Sequence, residues 1–165
     1  SEMCIRDSPL NHIKPHGSLY GVSAKEEDVA HGIADAAEIF GVGIFGMVNT
    51  FHEKVYKERG IKFIAEFYSD LEYDETGYLV IAKGRNKYYP ADLAVERCMR
   101  AIKENKVKTV NNTDIDVGCE TICVHSDTPN AIEILQALRK NMSQNNLPKE
   151  PKDITDKKMP YIVAD

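Results

Sequence analysis

Short apolar runs of strand length alternate along this chain with amphipathic runs of helix length, joined by brief polar connections. A parallel strand pair needs a crossover, usually a helix, so this alternation predicts an α/β fold with a parallel sheet or barrel. Ser23-Ala-Lys-Glu26 has capping-box spacing, and Val29, Ile33, Ala37 and Phe40 behind it predict a helix of about four turns. Ile44–Val48 reads as a buried strand, and Thr50-Phe-His-Glu53 as a second capping box opening a short helix that Gly60 ends. Ile61–Phe67 is the next strand, and Asp74–Gly77 the turn of a hairpin whose second arm is Tyr78–Ala82. Pro90 opens a helix with Val95, Cys98, Met99 and Ile102 on one face, and Lys106–Val110 is a weak strand. Glu120–His125 is a short strand; Asp127 or Thr128 caps a last helix whose buried stripe is Ala131, Leu135, Leu138 and Met142.

The 165 residues are 42% apolar, enough for one packed domain plus a tail. Residues 1–8 match no surrounding pattern and read as a tag or assembly remnant, 9–142 as the folded portion, and 143–165 as a polar, mobile tail. No apolar run approaches the roughly 20 residues of a membrane helix. Twenty-one basic against 26 acidic residues give a net charge of −5, which excludes a general binder of nucleic acid or acidic membrane. The cysteines are Cys4, Cys98, Cys119 and Cys123. Cys119 and Cys123 would stand about 13 Å apart on a strand, too far for a disulfide, so the plain reading is buried thiols in a reducing cytoplasm.

In parallel α/β folds working residues gather where strands end. Four such ends carry reactive side chains: Lys14 and His16; Asn49 and His52; Glu66, Tyr68 and Asp70; His125, Asp127 and Thr128. In Lys14-Pro-His-Gly17, Pro15 fixes the backbone and Gly17 turns it, so a cation and an imidazole face one space. His125 directly follows an apolar strand, where no structural rule asks for imidazole. Glu66 and Asp70 stand out as a base or metal ligand in a stretch alternating carboxylates with aromatics. His52 is placed on the exposed first turn of its helix and His31 on a helix surface. Each cluster also has a duller reading, as a solvated loop or a helix cap. No Walker loop, G-x-G-x-x-G or G-x-S-x-G elbow is present.

Taken in order, Lys14-Pro-His-Gly-Ser-Leu-Tyr20, Glu66–Tyr73 with Gly77-Tyr-Leu79, and Cys123-Val-His-Ser-Asp-Thr-Pro129 resemble the LamB/YcsF family. The resemblance spans about Ile13 to Met142. It implies a divergent (β/α) barrel of the glycoside hydrolase and deacetylase type, here an incomplete C-terminal portion. The family's acidic opening strand and Gly-Phe-His-Ala-Gly-Asp-like motif are not in this sequence. Ser69-Asp70-Leu71 stands where many members have Ala-Asp-Arg, and Ser126 where many have Gly.

The resemblance also implies an activity: opening of the 5-oxoproline lactam to glutamate, coupled to ATP hydrolysis, together with the other 5-oxoprolinase subunits. ATP is then the co-substrate, bound by this chain or by a partner subunit. Lys14, His16, Asp70, His125 and Asp127 are the candidate catalytic residues, and Tyr20, Glu66, Tyr68 and Thr128 the substrate contacts. Lys14 would stabilise oxyanion or phosphate charge, and His16 or His125, oriented by Asp127 or Asp70, would move protons. Lys14 and His125 are expected to share one small ligand, and alanine at either to leave the fold intact. One alternative is a metal-dependent hydrolase or deacetylase acting on a carbohydrate or amide, with His16, His125, Asp70 and Asp127 as ligands. Another is a partner-binding module without activity. This polypeptide alone is expected to be inactive.

Overall fold

The computed structural model describes residues 10–81 and 87–147. The proposed remnant at 1–8 and most of the proposed tail lie outside the described residues. Contacts divide the described chain into two compact units, residues 10–46 with 51–64, and residues 47–50 with 65–147.

In the first unit β1 (His12–Ile13) pairs in parallel with β2 (Gly43–Gly46), His12 opposite Gly43 and Ile13 opposite Ile44. Helices α1 (Ser18–Lys25) and α2 (Glu27–Phe40) form the crossover, and α3 (Phe51–Glu58) follows β2. The core is Ala30, Ala34 and Ala37 of α2 against Ile44, Val55 and Tyr56. The expected stripe on α2 is corrected by this packing: Val29 and Ile33 are half-buried and Phe40 is 51% exposed. The small alanines let the helix approach closely, and the bulkier apolar residues lie one position around. The first capping box is also corrected. Ser23 lies inside α1, fully buried, and the N-cap of α2 is Glu26, which makes no side-chain capping bond. Because α1 begins at Ser18, a helix stands where the sequence suggests a turn.

In the second unit β3 (Phe63–Tyr68), which starts in the first, pairs in parallel with β8 (Thr121–Cys123). Between them come the antiparallel hairpin β4 (Glu72–Tyr73) and β5 (Leu79–Val80), helix α4 (Ala91–Glu104), and the hairpin β6 (Lys106–Lys108) and β7 (Asp114–Asp116). The first hairpin closes as expected. Asp74 Oδ1 accepts from the Thr76 and Tyr78 amides at 2.9 and 3.0 Å. Strand β7 has no counterpart in the sequence reading, since its acidic ends give no alternation beyond Ile115. Helix α5 (Ala131–Gln144) packs against α4 and extends into the proposed tail. Its buried residues are Ile134 and Leu138, while Leu135 is 52% exposed, which corrects the expected stripe. Among the described residues no helix is long and apolar enough to cross a membrane.

Gly118 brings β8 onto β3. A Cβ there would lie 2.5 Å from Ala65 Cβ and 2.7 Å from Val48 Cγ1. Ala65 is clamped on both sides: its carbonyl accepts from the Glu120 amide at 2.8 Å, and its amide donates to Glu120 Oε2 at 2.9 Å. Gly118→Ala is therefore expected to cost about 1–3 kcal/mol by overpacking. Urea denaturation checks this; an unchanged midpoint would mean the loop yields freely.

Candidate functional site

The parallel register sets Tyr68 opposite Cys123, so the two strands end together. Ser69 extends the pairing, donating to the Cys123 carbonyl from its amide at 3.1 Å and from Oγ at 2.8 Å. The next residue, Asp70, thereby meets the chain just beyond β8. Its Oδ1 lies 2.7 Å from His125 Nδ1, while Oδ2 accepts from the His125 amide at 3.0 Å and from Thr128 Oγ1 at 2.6 Å. The Asp70 side chain is fully buried and that of His125 is 22% exposed. Tyr68 stacks on the imidazole, ring centroids 5.5 Å apart, and its hydroxyl donates to Glu66 Oε2 at 3.1 Å. Five of the expected site residues thus form one connected cluster: Glu66, Tyr68, Asp70, His125 and Thr128.

Burial alone would raise the Asp70 pKa, but the hydrogen bonds from His125 and Thr128 outweigh it and hold the carboxyl down at about 2. Burial would likewise lower His125, but the bond to Asp70 and the neighbouring Cys123 push it up to about 9. At neutral pH the pair is an imidazolium on a carboxylate. Asp70 takes the Nδ1 proton in its hydrogen bond, which leaves Nε2 as the working nitrogen, 3.9 Å from Cys123 Sγ. Cys123 is the residue that the sequence reading misses, since a cysteine after an apolar run reads as an inert buried thiol; it is half-buried. The signal that could have found it is the i, i+2 spacing, which puts Cys123 and His125 on one face of an extended segment.

Asp127 is exposed and lies outside this hydrogen-bonded cluster. Nor is it the expected cap, because α5 begins after Asn130. Thr128 spends its hydroxyl on Asp70, and its carbonyl accepts from the Ala131 amide at 3.0 Å. The Asp70 contact bears on the expectation that alanine at His125 leaves the fold intact. Replacing His125 by Ala would strand a fully buried carboxylate.

Lys14, His16 and Tyr20 belong to the first unit. Lys14 is half-buried just past β1, and His16 is exposed. Gly17 turns the chain into α1 at φ 58° and ψ −135°, a conformation that only glycine adopts readily. Tyr20 is buried with its ring edge-on to His52, centroids 4.7 Å apart. His52 is fully buried rather than exposed: burial lowers its pKa to about 4, and Ser23 Oγ stands 2.8 Å from Nε2. An apolar cage of Tyr20 and Tyr56 draws this imidazole inward, so His52 is a neutral packing residue. Among the described residues no group of three or more His, Cys, Asp or Glu is placed to hold a metal ion.

The model of the LamB/YcsF family matches residues 3–156. The chain belongs to the LamB/YcsF family. Among its relatives in this family, a 5-oxoprolinase subunit of Staphylococcus carnosus is 32% identical over 148 residues, covering 87% of this chain and 58% of that protein. The lactam utilization protein lamB of Emericella nidulans is 37% identical over 142 residues, covering 83% and 55%. The crystal structure of the lactam utilization protein from Thermus thermophilus superposes with a TM-score of 0.77 at 25% identity, covering 91% of this chain and 61% of that one. The fold is accordingly α/β of the divergent barrel kind that the LamB/YcsF motifs imply. This family member spans rather more than half the length of the curated relatives it matches.

Proposed function

We propose that this chain is part of a 5-oxoprolinase subunit, in which it supplies the proton donor for lactam opening. The single observation that carries this reading is the Asp70–His125 pair, set at the joined ends of two parallel strands in a family whose relatives bear 5-oxoprolinase and lactam-utilization names. A ring amide leaves poorly as an anion, so its nitrogen must be protonated as the C–N bond breaks. His125 carries a proton up to about pH 9 and presents it on Nε2. Asp70 holds the ring in place and stabilises its charge. Glu66 and Tyr68 line the same strand and contact the substrate. In the first unit Lys14 supplies positive charge for an oxyanion or phosphate, and His16 is a second proton carrier.

ATP is the phosphoryl donor that makes the carbonyl carbon electrophilic. The sequence holds no glycine-rich phosphate loop, so we assign ATP to the assembly with the other 5-oxoprolinase subunits. The cytoplasm, which keeps thiols reduced, is the compartment we assign.

The test is glutamate formation from 5-oxoproline by this chain mixed with the partner subunits of a related 5-oxoprolinase. The product should require both ATP and the partners, and none is expected from this chain alone. His125→Gln should lower turnover by about a hundredfold or more, and wild-type kcat should fall as pH rises through about 9, where the donor loses its proton. A pH profile flat across that range, or no glutamate in any combination, would sink the reading.

A further inference from the structure

We propose that Cys123 is the nucleophile of this site, its sulfur held against the His125 imidazole that Asp70 orients. This role rests on the lactam-opening reading above. Its geometry is a three-member relay: Cys123 Sγ lies 3.9 Å from His125 Nε2, and His125 Nδ1 lies 2.7 Å from Asp70 Oδ1. A nucleophile, a base and a group that orients the base, each within contact of the next, are the parts that covalent acyl chemistry needs. Each part is held independently. Two bonds from Ser69 fix the Cys123 carbonyl, Tyr68 stacks on the imidazole, and Thr128 with the His125 amide fixes the carboxylate.

The other described cysteines have no such setting. Cys98 is fully buried on α4, where burial pushes its thiol up, and burial pushes Cys119 up to about 12. Cys123 Sγ instead stands beside the His125 imidazolium, and a cationic neighbour marks a reactive cysteine.

The chemistry balances with ATP and two waters. The lactam carbonyl oxygen takes the γ-phosphoryl group of ATP, releasing ADP. The Sγ lone pair then forms a C–S bond at that carbon, and phosphate leaves with the thiol proton. A first water adds to the same carbon, losing one proton to solvent as it adds and the other as its oxygen becomes the carbonyl. The C–N bond breaks, its electron pair going to the ring nitrogen, which takes the proton from His125 Nε2. A thioester and a free amine result. Neutral His125 takes a proton from the second water, whose oxygen displaces Sγ, and the acid proton of the new carboxyl restores the thiol as glutamate leaves.

Iodoacetamide labelling of the folded chain at pH 7, read cysteine by cysteine by peptide mass spectrometry, tests the thiol without any turnover. Cys123 should label at least tenfold faster than Cys98 or Cys119. That rate should fall tenfold or more in His125→Gln and Asp70→Asn, with Cys98 labelling reporting any unfolding of a variant. If a variant unfolds, the wild-type comparison of Cys123 with Cys119 still decides. Labelling of Cys123 no faster than Cys119, or unchanged in both folded variants, overturns the proposal. In the assay with partner subunits and ATP, Cys123→Ser should lose a hundredfold or more of glutamate formation. Retained turnover in that variant overturns the nucleophile and leaves the lactam reading standing. Fast, His125-dependent labelling without glutamate from the wild type keeps the nucleophile and removes the lactam.

Discussion

Asp70→Ala is expected to lower the free energy of unfolding by about 2–4 kcal/mol near pH 5, because it deprives His125 of its counter-charge and the Thr128 hydroxyl of its acceptor. The loss should depend on pH in a defined way. His125 has a folded pKa raised from 6.5 to about 9, so its share of stability is complete below 6.5 and disappears as pH rises through about 9. Asp70 has a folded pKa lowered from 3.8 to about 2, so its share is complete above 3.8 and disappears as pH falls toward 2. The gap between wild type and variant is therefore widest between 3.8 and 6.5 and narrows on both sides. Urea titrations of both proteins across this range measure it. Parallel stability curves would show that the pair is not ionised in the folded protein.

Ile134→Ala should cost about 2–5 kcal/mol, and Leu135→Ala less than about 1 kcal/mol. Ile134 is fully buried, whereas its neighbour on α5 is 52% exposed. Removing three carbons from a packed site leaves a void the surroundings only partly fill, but removing them from a wet surface leaves none. The periodicity of Ala131, Leu135 and Leu138 fits the other face equally well, which is how the sequence misplaces the stripe. Melting curves of the two variants decide it, and equal losses would mean that α5 sits rotated from the orientation described.

By itself the sequence determined the alternation of strand and helix, the Asp74–Gly77 hairpin turn and the strand ends at Asp70 and His125, because these follow from local periodicity and turn chemistry. It also carried three motifs in register, and through them the family. It did not determine which face of α2 or α5 meets the core, since an apolar residue one position along satisfies the same period. Nor did it place His52, whose imidazole reads as polar until Tyr20 and Tyr56 close around it. Only tertiary structure joined Asp70 to His125, 55 residues apart, and set Cys123 against the same ring. The physical reason is that a charge state belongs to a pair. Asp70 is ionised and His125 protonated because parallel register brings them to 2.7 Å in a buried setting, and no local stretch of chain contains both.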